Sequence, residues 1–320
     1  MDYDIIGDIH GHADALCALL AKLGYQKRAG VFRHPERQAI FVGDFIDRGP
    51  QQLETVQLVR RMVDAGSALA IMGNHELNAI AWYLPDPEVP GEFLRAHASP
   101  KWGDSNRLQH EKFLAEIDGK PRLHGEIIDW FLSLPLWIDR PDLRVAHACW
   151  HQGFMDFLEP QLASGLRLTA ELMPAAVREP ESDSEKDTPE PTVFKAVEAL
   201  TKGIEVNLPK PYSFKDHDGQ VRTRVRVRWW DGEANTYRKA AMLDADLLSQ
   251  IPDMRIPDHK CIGYRDDQPL FVGHYWLTGE PRPFAPNVAC VDYSVAKHGK
   301  LMAYRLNGEK LLTTKGFVWV

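Results

Sequence analysis

Residues 1–12 read Met1-Asp2-Tyr3-Asp4-Ile5-Ile6-Gly7-Asp8-Ile9-His10-Gly11-His12, an apolar run that stops at a glycine-flanked Asp-x-His. Tyr3, Ile5 and Ile6 form a strand emptying into a tight turn that carries a carboxylate and an imidazole. Alternation along the extended backbone sends Asp8 and His10 to the same side. The flanking glycines allow the close approach that a bound ion demands. Two ligands two residues apart are half of a metal site, although the tripeptide by itself also fits a polar turn whose Asp caps the next helix.

Working outward, the pattern recurs. Ala39-Ile40-Phe41-Val42 ends in Gly43-Asp44 and continues Phe45-Ile46-Asp47-Arg48-Gly49, so a second strand delivers a second carboxylate. Ala70-Ile71-Met72 ends in Gly73-Asn74-His75-Glu76, delivering an amide oxygen and an imidazole before a new helix. Strand ends that lead into helices are where open α/β sheets build their sites, so three such ends define one rim. Leu143-Arg144-Val145-Ala146-His147 and Leu270-Phe271-Val272-Gly273-His274 repeat the logic. They add two imidazoles, with His151 a competitor that lies past the apolar run of the former.

The blocks GDIHG, GDFIDRG and GNHE, in this order at near-equal spacing, resemble the three signature blocks of the calcineurin-like metallophosphoesterases. The longer middle block, with its Asp-Arg-Gly, is similar to the phosphoprotein phosphatase branch, which includes bacterial diadenosine tetraphosphatases and serine/threonine phosphatases. The match is dense over residues 7–76, with weaker anchors at His147 and His274. The resemblance implies an α/β fold: a two-sheet β-sandwich flanked by helices, with metals at one edge.

It also implies roles. Asp44 would bridge two divalent ions, Asp8 and His10 would complete the first, and Asn74, His147 and His274 the second. All are oxygen or nitrogen donors, a set suited to manganese above all, with iron or zinc as alternatives. The family's chemistry is direct attack on phosphorus by a water activated between the ions, without a covalent enzyme intermediate. By the same resemblance His75 protonates the leaving oxygen, Asp47 orients it, and Arg48 grips phosphoryl oxygens in its fork. Arg238 is matched, by order along the chain alone, to a second phosphate-binding arginine.

The rest of the chain bounds the answer. At 320 residues with 44% hydrophobic content it has ample core for a large α/β domain, expected to be a single unit over 1–320. No run approaches the roughly 18 apolar residues of a membrane span, and the first residues go straight into a strand, so a cytoplasmic protein without a membrane partner is expected. Cys17, Cys149, Cys261 and Cys290 are scattered, against a disulfide framework or a structural zinc site. A net charge of −7 disfavours nucleic acid as partner and makes a local positive centre necessary for phosphorylated substrates.

Helices are expected over residues 13–23, 51–65, 127–134 and 193–201, with a polar connection over 25–38. Residues 77–125, rich in proline and then polar, read as a helical insertion folding over the site, with Arg95, His97, Lys101, Arg107 and His110 either greeting phosphates or lying on a solvated helix. Residues 178–192, REPESDSEKDTPEPT, read as a mobile acidic loop. Residues 221–230 alternate: Val221, Thr223, Val225, Val227 and Trp229 face the core, while Arg222, Arg224, Arg226 and Arg228 form a guanidinium ladder. That ladder is a charged edge strand or an electropositive wall beside the metals.

Diesterases of the resembled superfamily commonly end in Gly-His-x-His, and Gly273-His274-Tyr275-Trp276 puts tryptophan in the last place. The first metal is then more open, which favours terminal phosphoryl groups over internal diesters. The expected substrate is a phosphorylated small molecule, a nucleoside polyphosphate, with a phosphoprotein as the alternative and a diester or a non-catalytic scaffold further behind.

Overall fold

The computed structural model describes residues 2–180, 182–216 and 219–320, with backbone alone for residues 183 and 184. Strand β1 (Asp2–Ile6) runs into helix α1 (Ala13–Lys22), which buries Leu16, Leu19 and Leu20. The connection over 25–38 is not plain: β2 (Gln26–Arg28) and β3 (Val31–Arg33) form a hairpin around Ala29 and Gly30, both at positive φ. That is the backbone a two-residue hairpin turn requires. Gln26, Lys27 and Arg28 are all exposed, so β2 left no apolar alternation to read.

The chain continues through β4 (Arg37–Phe41), α2 (Gln52–Asp64), β5 (Ala68–Ala70) and α3 (Asn74–Tyr83). Strands β1, β4 and β5 are parallel neighbours, so their ends lie along one edge. Three helices follow, α4 (Gly103–Gln109), α5 (Glu111–Ile117) and α6 (Pro121–Leu132). The Glu116 carboxylate of α5 accepts the N–H groups of Gln52 and Leu53 at 2.7 and 2.9 Å, capping the start of α2.

A second sheet begins with β6 (Trp137–Asp139) and β7 (Arg144–Ala146). Helix α7 (Gln152–Leu158) comes next, and after the helix Val193–Lys202 come β8 (Glu205–Asn207), β9 (Phe214–Lys215), β10 (Val221–Arg222) and β11 (Arg224–Arg226). Residues 221–230 are thus two short strands broken at Thr223, not one. Strand β11 pairs β8 and buries Val225, while β10 pairs β9 in a separate two-stranded ribbon and leaves Val221 exposed. Of the acidic stretch 178–192, Glu181 lies outside the described residues. Asp183–Lys186 is a short helix, and Asp187 contacts Arg224 and Lys260 at 3.1 and 3.3 Å.

Strands β12 (Leu270–Val272) and β13 (Val288–Cys290) complete the second sheet in the order β13-β12-β7-β6. Strands β14 (Asp292–Tyr293), β15 (Lys300–Leu306) and β16 (Phe317–Trp319) join the first, ordered β14-β15-β1-β4-β5 with β16 also on β15. The two sheets share a core of Ile5, Ile40, Val42, Val145, Phe271 and Tyr304, all fully buried, which makes the fold a β-sandwich with helices outside. The four cysteines are free thiols, Cys149 and Cys290 buried and Cys17 and Cys261 half-buried. No helix among the described residues is long and apolar enough to cross a membrane.

Candidate metal centre

The strand-end loops are laced together by their backbones. The N–H groups of Ile9 and His10 both donate to the Asp44 carbonyl, Gly11 donates to Phe45, and Gly49 returns a bond to His10. His10, Asp44, Asp47, Arg48 and His274 all take positive φ, which non-glycine residues avoid, and such strain concentrates at functional sites. Gly73 and Gly273 are required by space: a Cβ on the former would collide with Asp44 Oδ1 and on the latter with Asp8 Oδ1.

Five of the six predicted ligands, His10, Asp44, Asn74, His147 and His274, are brought together with His75, while Asp8 lies beside them, its Oδ2 accepting His274 N at 2.9 Å. Donor atoms of His10, Asp44 and His75 lie within 4.8 Å of one another, as do those of Asp44, His147 and His274, so Asp44 belongs to both groups. Asn74 Oδ1 stands 2.8 Å from His274 Nδ1 and 3.2 Å from His147 Nε2. Two tautomers are fixed from behind: His10 Nδ1–H donates to Ile46 O at 2.9 Å and His147 Nδ1–H to Val42 O at 2.7 Å. Each ring is left with its Nε2 aimed at Asp44 Oδ2, 3.7 and 3.4 Å away, the orientation a metal-ligating imidazole needs.

The electrostatics call for cations. Asp8, Asp44, Asp292 and Glu76 are buried, and an unpaired buried charge costs several kcal/mol. Burial raises Asp8 well above the usual carboxylate range, with Asp292 and Asp44 adding to it. Burial, followed by Asp44, pushes Glu76 up to about 7. Asp8 Oδ1, His10 Nε2 and His274 Nε2 are buried without a hydrogen-bond partner. Orphaned donors of this kind around a shared carboxylate fit two divalent ions held by oxygen and nitrogen ligands.

Beside the donors, His75 Nδ1 lies 2.5 Å from Asp47 Oδ2 and its Nε2 3.9 Å from Asp44 Oδ2. Burial works against protonation of His75, but the Asp44 and Asp47 carboxylates outweigh it and raise the ring above its ordinary pKa. Asp47 itself is brought down to about 2, burial being overcome by hydrogen bonds from His110 and His75. The Arg48 guanidinium sits 4.5 Å over the Trp276 ring. These groups open into a cavity of about 530 Å³ that also takes in Gln109, Arg226 and His274.

Two of the sequence candidates stand away from the donors. Arg238 is exposed, donates to Ile251 O at 3.1 Å and lines no cavity at the donors, whereas Arg226 does. Order along the chain could not separate two arginines twelve positions apart. His151 caps α7 through Phe154 N and is not among the clustered donors. Among residues whose roles went unread, Glu76 accepts the N–H groups of Gly73, Asp44 and Phe45, welding the second and third loops. Gln52 accepts from Asp47 N and donates to Gly49 O. Asp292 holds Trp276 N at 2.6 Å, and its only sequence signal was a carboxylate inside an apolar run.

Known proteins were compared with the chain. The family model described as calcineurin-like phosphoesterase matches residues 1–163. A bis(5′-nucleosyl)-tetraphosphatase PrpE, asymmetrical, from Halalkalibacterium halodurans is 49% identical over 76 residues, covering 23% of this chain and 31% of that one. The protein of the same name from Bacillus velezensis is 43% identical over 151 residues, 46% of this chain and 56% of that one. The matches thus span between a third and little more than half of these relatives. A solved putative diadenosine tetraphosphatase is similar over 100% of this chain and 92% of its own, at 16% identity and a TM-score of 0.44. A cold-active protein-tyrosine phosphatase of a psychrophilic Shewanella is similar over 99% and 80%, at 19% identity and a TM-score of 0.48.

Proposed function

The chain belongs to the calcineurin-like phosphoesterase family, and from that premise we propose that it is a two-metal phosphatase hydrolysing phosphomonoester or phosphoanhydride bonds, with nucleoside polyphosphates as substrate. The observation that carries the reading is Asp44, buried and common to two groups of donor atoms. Asp8 and His10 would hold one ion with Asp44, and Asn74, His147 and His274 would hold the other. Manganese is the metal proposed, and the four free thiols support a reducing, cytoplasmic setting.

Divalent ions at such a site offset phosphoryl charge and lower the pKa of water. The protein's own side chains do the rest. His75, kept protonated by the carboxylates around it, gives its Nε2 proton to the leaving oxygen, while Asp47 fixes the ring through Nδ1. Arg48 presents its fork to two phosphoryl oxygens, and the face of Trp276 holds it in place. Residues 77–125 act as a cap: Gln109 Nε2 approaches His75 Nδ1 at 3.4 Å, and Arg95 fixes the Gln109 amide at 2.6 Å.

Supporting the substrate choice are the tetraphosphatase names of the relatives and Trp276, which stands where a further imidazole would close the first metal to a terminal phosphoryl group. The experiment is a comparison of kcat/KM for a dinucleoside tetraphosphate, a phosphopeptide, an aryl monophosphate and an aryl diester after reloading stripped protein with Mn²⁺. The tetraphosphate should lead. A lead for the phosphopeptide changes only the substrate, a lead for the diester removes the argument from Trp276, and no turnover of any of the four refutes the enzyme.

A further inference from the structure

A second cavity, of about 500 Å³, also borders Asn74 and His274 and is unused by the chemistry above. It shares only Asn74, Arg226 and His274 with the reaction mouth, and its volume is that of a small-molecule site. Arg226 stands between the two. Strand β11 and the helix Val193–Lys202 form much of the wall, and residues 186–189 close one side.

Its charge is unlike that of the chain. Lys186, Lys195, Lys202, Arg224, Arg226 and Lys260 face it against Glu198 and Glu205, in a protein of net charge −7. Glu179 and Asp187, just outside, pair with Lys186, Arg224 and Lys260, and among the described side chains named here six cations still exceed four carboxylates. Lys195 Nζ donates to Thr188 O, Thr188 Oγ1 and Glu190 O, and the loose contacts with carboxylates are those of Lys202 with Glu198 at 3.6 Å and Arg226 with Glu205 at 4.0 Å. Pairs of that length near solvent contribute little, so they do not account for gathering the cations. Elsewhere arginines bond fully: Arg37 donates to Asp4, Asp2, Asn307, Tyr3 O and Leu306 O.

We propose that this cavity is the subsite for the condensed-phosphate remainder of the substrate, the phosphates beyond the one being hydrolysed. Their charge passes over Arg226 and lies along the lysine and arginine wall, which makes the enzyme select polyphosphate chains over isolated phosphoryl groups. The proposal rests on the phosphatase reading and adds to it a place for the rest of the chain.

The test uses the full chain with Lys202→Gln and Lys260→Gln together, and Lys202→Gln alone as a milder variant, at the half-buried last residue of its helix, should the pair fail to fold. The ratio of kcat/KM for diadenosine tetraphosphate to that for an aryl monophosphate should fall about tenfold in the pair. Calorimetry with inorganic tripolyphosphate on metal-free protein should show binding that weakens by a similar factor. An unchanged ratio, or equal losses on both substrates, overturns the subsite while leaving the phosphatase intact. If the wild type hydrolyses neither substrate, the phosphatase reading fails and calorimetry decides the subsite, with no binding, or equal binding by the variants, overturning it.

Discussion

Asp47 Oδ2 stands 2.5 Å from His75 Nδ1 and 2.9 Å from His110 Nδ1, one buried carboxylate oxygen between two imidazoles. His110 arrives from the junction of α4 and α5, and burial, opposed by Asp47, leaves it below its ordinary pKa and neutral. It spends an N–H on Asp47 without competing for the proton of His75. His110 is therefore a positioning residue, one step removed from the reacting atoms.

Replacing His110 by Phe should lower kcat about tenfold with metal content unchanged, a typical loss for a residue supporting a site from behind. Asp47 would then direct its whole charge at His75 and raise the pKa of that ring further, moving the alkaline limb of kcat to higher pH. A loss of kcat with an unmoved limb would reduce His110 to packing.

His75→Asn should lower kcat by about a hundredfold or more while two metal ions remain bound, because the ring acts as an acid. Since the folded-state pKa of His75 is raised, the acid persists to higher pH than in a free imidazole and is lost as pH rises through that value. The alkaline limb should vanish in the variant. Metal analysis showing one ion instead of two would make His75 a ligand.

Asp44→Asn should lose more than about nine-tenths of turnover and bind fewer than two ions, since one carboxylate serves both donor groups. Metal removal by chelation should abolish turnover in the wild type and Mn²⁺ should restore it. A variant with full metal content and near-normal rate would rule out the shared ligand.

A pH effect on stability is expected away from the centre. His124 lies between the rings of Tyr83 and Phe113, and burial, then His110, lowers its pKa to about 4 from an unfolded value of 6.5. The unfolded chain binds this proton more readily, so the contribution is fully present above about pH 6.5 and is lost as pH falls towards 4. His124→Phe should lose less Tm than the wild type between pH 7 and 5. Equal losses would assign the acid sensitivity to other groups.

How legible the site was depended on the distance over which each contact is made. Asp8, His10, Asp44 and Asn74 are fixed by local grammar, an apolar run that stops at glycine, and the runs at 143–147 and 270–274 carried the same sign. Gln52 gave none, and His110 read as a phosphate contact or a solvated residue, because a glutamine in the first turn of a helix and a histidine in a polar segment acquire their meaning only through Asp47, the latter across 63 residues. Arg226 was visible in the arginine ladder, but its place beside His274 follows from the pairing of β11 with β8, which periodicity does not specify. The hairpin at 26–33 escaped notice because its strands are too short to alternate.

The register of β1 sets the order in which the protein can be made. Its two neighbours are β4, some thirty residues later, and β15, reached only at residues 300–306, with Tyr3 opposite Leu306 and Ile6 opposite Ala303. A chain emerging from the ribosome therefore exposes one edge of β1 until residues 300–306 have been synthesised, and His274 is missing for most of that time. Contacts of such separation are slow to close. Metal capture thus belongs to the finished chain, and the half carrying residues 1–163 should be, by itself, a client for chaperones, its unpaired strand edge prone to aggregate.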